Sequence, residues 1–160
     1  MTKKKFTHID PAGNPTMVDV SEKKITKRTA RAQAIVNVGS TILSQIKDNE
    51  LITKKGPVFQ TAIIAGVMGA KQTSSLIPFC HPLGLEDCQI KIHISKGKIV
   101  IDSIATVTGK TGVEMEALTA ASVAALTVYD MCKALSHTIV VEEIKLMEKT
   151  GGKKDFKHSA

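Results

Sequence analysis

The chain has 160 residues, 42% hydrophobic, with a formal net charge of +7. That length suffices for one filled core, and no apolar stretch reaches the length of a membrane span. The positive balance points to an anionic partner. Aromatics reach only 3% with no Trp, so stacking platforms for single strands are missing, and no helix carries a dense basic stripe for a duplex. A small polyanion such as a nucleotide phosphate fits the charge at least as well as nucleic acid.

Residues 1–15, with Pro11, Gly13 and Pro15, read as an extended, mobile lead-in. Their lysines have no apolar stretch behind them, so no secretion signal is visible. "TMVDVS" (16–21) reads as a short strand. From Arg28 to Val38, alanines and valines alternate with Arg31, Gln33 and Asn37, which is the period-two pattern of a half-buried strand. Gly39 breaks it, and Ser40 is placed to cap a short helix using Ile42, Leu43 and Ile46.

Pro57 suits the first turn of a buried helix running to about Leu76, in which Ala65, Gly66, Gly69 and Ala70 admit a close neighbour. Pro78 and Pro82 force an irregular segment around "FCHP". Ile90, Ile92 and Ile94 mark a strand whose hairpin partner is "KIVIDSIATVT". Residues 113–135 form the longest helix, 138–148 a closing strand, and "KTGGKKDFKHSA" a basic flexible tail. The expected organisation is one domain over 1–160, mobile at 1–15 and 150–160. With the extra helix set aside, the order βαββαβ implies an α+β, ferredoxin-like antiparallel sheet with helices on one face. Its other face calls for a second subunit.

"TGKTGVEMEAL" (108–118) begins like the end of a phosphate-binding loop. That loop needs a glycine where this chain has Ile104, inside a strand, so the reading fails. Asp130 and Lys133, three apart on the long helix, share a face. They are either a surface ion pair or, amid apolar neighbours, an acid/base pair. Glu116 lies roughly 20 Å from Asp130 along the same helix, so the two meet one ligand only across subunits or at its opposite ends. His81 reads as a general acid/base, a metal ligand or a packed loop residue, and no partner spacing supports a metal. Cys80 lacks a base to activate it. The three cysteines, odd in number and without CxxC spacing, favour reduced thiols in a cytoplasmic setting. Arg28, Lys55, Lys110 and Lys149 are among the cations that would hold a polyphosphate if the fold gathers them.

"MVDVS", "KGPVFQTAIIAG", "LIPFCHPL" and above all "TGKTGVEMEALTAASVAALTVYDMCKA" resemble the cyclic pyranopterin monophosphate synthase family of molybdenum cofactor biosynthesis, over residues 6–157. The resemblance implies a ferredoxin-like homohexamer, a trimer of dimers with active sites at subunit contacts and no metal or organic cofactor. It implies a lyase that takes a cyclised dihydroguanosine triphosphate from a radical GTP-cyclising enzyme, closes a cyclic phosphate and expels pyrophosphate. By motif, Asp130, Lys133 and Lys55 become catalytic. Phe79, Cys80, His81, Met115, Glu116, Glu114, Lys149 and Arg28 become substrate contacts. The chain departs from the family pattern at Pro57, commonly Asp, and at Ile63 or Gln72, commonly Arg. Outside the resemblance, a non-catalytic nucleotide-binding module or an assembly scaffold would also use a basic, alanine-rich chain.

Overall fold

The computed structural model describes residues 9–158. The expected lead-in at 1–8 and the last two residues of the tail lie outside the described residues. Strand β1 (Thr26–Asn37) buries Ala30, Ala32, Ala34 and Val36 on one face and keeps Arg31, Gln33 and Ile35 on the other. Its alternation is the physical reason it is a strand: a helix would have scattered these alanines around its axis. Gly39, at φ +75, ends the strand in a conformation that side chains resist. The short helix α1 (Gly39–Leu43) follows. Ser40 lies inside that helix and does not cap it; the Asn37 side-chain oxygen instead accepts the Gly39 N–H at 3.1 Å.

A two-strand turn, β2 (Ile52–Thr53) and β3 (Gly56–Pro57), leads into α2 (Val58–Lys71). Pro57 sits just before the helix, and the cap comes from further back in the chain. The Glu50 carboxylate accepts the N–H groups of Phe59 and Gln60 at 2.8 and 3.1 Å, placing negative charge at the positive end of the helix. The helix stops at Lys71, short of the expected Leu76. The buried Thr73 hydroxyl donates to the Ala70 carbonyl at 2.9 Å, and a separate turn, α3 (Thr73–Leu76), begins.

Strands β4 (Asp87–Ser95) and β5 (Lys98–Gly109) form the expected hairpin. Helix α4 (Glu114–Cys132) and strand β6 (Val140–Thr150) follow. Part of the basic tail returns as β7 (Phe156–Lys157), paired with Glu148 and Lys149. The sheet order is β4-β5-β1-β6-β7, every pairing antiparallel. This α+β arrangement is consistent with a ferredoxin-like fold. The strand expected at 16–21 does not form. Val18 and Val20 are half-buried while Met17 and Asp19 are exposed, but no neighbouring strand offers a ladder there.

Helices α2 and α4 pack against each other, and α4 lies across β1, β5 and β6. Ala117, Ala120, Ala121, Ala124 and Ala125 are fully buried, so α4 presents a smooth face to both neighbours. Gly66 is a point of close approach: a Cβ there would run into Ile90 and stand 2.8 Å from the Ala120 carbonyl. The opposite sheet face is mixed, with Arg31 and Gln33 both donating to Asp102 at 3.0 Å.

Gly66→Ala is therefore expected to lower unfolding stability by about 1–3 kcal/mol. Gly84→Ala, where a Cβ would meet open space, should stay within about 0.5 kcal/mol of the wild type. Denaturant unfolding of both variants checks the packing claim, and equal stabilities would refute it.

Candidate active site

The Pro78–Pro82 segment meets the N-terminal end of α4 around a cavity of about 600 Å³. Seven of the expected side chains line it: Phe79, Cys80 and His81 from the segment, Glu114, Met115 and Glu116 from the helix, and Lys149 from β6. Lys149 Nζ donates to Glu114 Oε1 at 2.8 Å, joining sheet to helix. Arg28 stands outside this cavity and pins the start of β1 to the end of β5, its Nε donating to the Gly109 carbonyl at 3.0 Å.

The other three expected residues meet at the far end of α4. Lys133 Nζ lies 2.7 Å from one carboxylate oxygen of Asp130, and Lys55 Nζ lies 2.8 Å from the other. Lys55 also reaches the Asp130 backbone carbonyl at 3.0 Å. The β2–β3 turn delivers it there, with the Lys55 N–H held by Thr53 Oγ1 at 3.2 Å. The Asp130 side chain is 54% exposed, and ion pairs in such solvent contact add little stability. Packing thus gives no reason for two ammonium groups to converge on this carboxylate. Within one protomer, α4 keeps this cluster roughly 20 Å from Glu116 at 1.5 Å per residue.

The two carboxyl groups have opposite environments. Asp130 is pulled down to about 2 by the hydrogen bonds from Lys133 and Lys55, so it is ionised throughout the neutral range. The same hydrogen bond, with the carboxylate charge adding to it, raises Lys133, which stays an ammonium. Glu116 is only 4% exposed; burial, with the charge of Glu114 adding to it, pushes its carboxyl above the ordinary range. Burial and the Glu116 charge also push the Cys80 thiol up, which makes Cys80 a wall of the cavity rather than a nucleophile. Cys132, buried in the core, is pushed up to about 11.

Sequence reasoning missed the opposite wall of the cavity. Val18, Val20 and Lys23 line it from the N-terminal segment, with Thr111 on the rim beside Lys153, one of the cations the sequence had offered. The alternation of Val18 and Val20 was the available signal, and it reads equally as an ordinary strand.

Fold and site together define a small α+β protein with a cavity lined by carboxyl, histidine and lysine side chains at one end of α4 and the Asp130–Lys133–Lys55 cluster at the other. The chain belongs to the MoaC family, whose sequence model matches residues 17–152. It is 51% identical over 157 residues to a protein of Xanthomonas campestris pv. campestris named cyclic pyranopterin monophosphate synthase, covering 97% of this chain and 94% of that one. A protein of the same name from Xanthomonas oryzae pv. oryzae is 52% identical over 154 residues, covering 95% and 93%. Molybdenum cofactor biosynthesis protein 1 of Dictyostelium discoideum is 51% identical over 92% of this chain, which spans only 26% of that longer protein.

The raised Glu116 gives a signed pH dependence. The unfolded chain loses this proton near 4.5, whereas the folded protein keeps it to higher pH. Stability from this group therefore falls as pH rises from that value through the folded one, and the cost persists above. Glu116→Gln removes the cost. It is expected to melt a few degrees above wild type at pH 8 and close to wild type at pH 4, by thermal unfolding. An equal shift at both pH values would show that Glu116 is not held toward its neutral form.

Proposed function

We propose that this chain is a cyclic pyranopterin monophosphate synthase of molybdenum cofactor biosynthesis. The substrate is (8S)-3',8-cyclo-7,8-dihydroguanosine 5'-triphosphate, supplied by a radical GTP-cyclising enzyme in the cytoplasm. The observation that carries this reading is the joint one: a cavity with a neutral-leaning carboxyl, His81 and free lysines, in a chain of the MoaC family. The chemistry rebuilds the ring by proton transfers. A ligand hydroxyl then attacks the phosphorus nearest the sugar, the bond to the next phosphate breaks, and pyrophosphate leaves. Those steps need a base, an acid and fixed positive charge.

Asp130, ionised and held by two ammonium groups, serves as the base. Lys133, kept protonated by Asp130, supplies a proton or steadies developing negative charge. Lys55 holds the carboxylate in register and adds charge. On the cavity side, Glu116 and Met115 hold the purine-derived end, with Glu114 and Lys149 fixing the helix beside it. Phe79, Cys80 and His81 form the facing wall, His81 exchanging protons with the ligand. Arg28 acts at the rim through the Gly109 end of β5.

One copy cannot bring both clusters to one small molecule, so the working site combines the Asp130 cluster of one protomer with the cavity of another. A homohexamer built as a trimer of dimers provides such contacts. Ile64, Met68 and Leu126, each more than 60% exposed on α2 and α4, are apolar surface suited to burial between copies.

Asp130→Asn is expected to abolish pyrophosphate release in a single-turnover assay by at least about 100-fold, with the oligomer intact. Tight substrate binding without pyrophosphate release by the wild type would favour a binding module. Mixing Asp130→Asn with His81→Ala subunits should restore part of the activity, because mixed oligomers rebuild some complete sites. No recovery from subunits shown to have mixed would rule out a shared site.

A further inference from the structure

Lys110, the lysine of the false phosphate loop, points away from any phosphate cradle. Its Nζ donates to the Ser21 carbonyl at 2.6 Å. Among the described residues, this is the only hydrogen bond between residues 16–25 and another part of the chain. The segment shapes itself around that point. Asp19 Oδ1 accepts the Ser21 N–H at 2.8 Å and its hydroxyl at 2.6 Å, and the Lys23 N–H donates to the Val20 carbonyl at 3.0 Å. The hydrogen bonds from Ser21 hold the Asp19 carboxyl below its ordinary range, with the charge of Lys110 a smaller contribution.

We propose that Lys110 is a positioning residue: it clamps residues 16–23 across the cavity, so that Val18 and Val20 form a wall and Lys23 faces the anionic end of the ligand. Lys23 and Lys153 both line the cavity, and neither pairs with a carboxylate among the described residues. Two unpaired ammonium groups on one rim are suited to the phosphates of a polyanion. Thr111, the next residue after Lys110, lines the same cavity, and its buried hydroxyl has no hydrogen-bond partner among the described residues. An unpartnered buried hydroxyl is costly, as expected of a wall that a ligand completes. The inference rests on reading this cavity as the substrate site.

The test uses the full chain in its native assembly. In Lys110→Met, amide hydrogen exchange of residues 18–23 should quicken at least about tenfold, and inorganic tripolyphosphate should bind about three- to tenfold more weakly. KM should rise by a similar factor while kcat stays within about twofold, and Lys110→Arg should restore all three. Lys23→Ala should weaken tripolyphosphate binding without altering exchange. Unchanged exchange in Lys110→Met, or faster exchange with unchanged tripolyphosphate binding, would overturn the clamp. Exchange and tripolyphosphate binding judge Lys110 even if the wild type proves to release no pyrophosphate, an outcome that counts against the proposed reaction alone.

Discussion

The contact of α2 with α4 at Gly66 decides where everything else falls. No side chain separates the helices there, and the buried alanines of α4 let the same helix rest on three strands. A helix held this firmly along its length is a rigid ruler. One end delivers Glu116 to the cavity wall, and the other carries Asp130 to the surface. Interiors are packed as densely as organic crystals, so a shift at the centre would move both ends together.

Those two ends create the chemical contrast. Asp130 is surrounded by donors that favour its charge, and Glu116 is surrounded by protein that disfavours it. Here the contrast between the two carboxyls follows from where one helix begins and ends. The lysines behave likewise: Lys133 and Lys55 are engaged by Asp130, and Lys149 by Glu114, while Lys23 and Lys153 at the cavity rim pair with no carboxylate among the described residues.

Much of the fold was legible because it rests on period and on steric rules. The alternation in β1, the isoleucines of β4 and the small residues of α2 each encode a face. The misreadings have local causes. Residues 16–21 alternate as a strand does, yet alternation reports only that one side is covered, and here the cover is a cavity wall. Ser40 has the chemistry of a cap, but Asn37 two residues before Gly39 takes the N–H first. The end of α2 was set by a buried threonine hydroxyl competing for a helix carbonyl, and its cap came from Glu50, which no adjacent-residue rule would nominate.

The site was legible as a set of residues and illegible as a place. Sequence by itself determined the strands, the long alanine-rich helix, the proline-bounded segment with His81, and the spacing that puts Lys133 beside Asp130, because these depend on neighbours within a turn or a strand. Only the tertiary structure decided that Lys55 joins Asp130, that Lys149 joins Glu114, and that Lys110 reaches back to Ser21. Each of those bonds links residues far apart along the chain. Their meeting depends on how the sheet and helices pack, which local periodicity does not encode.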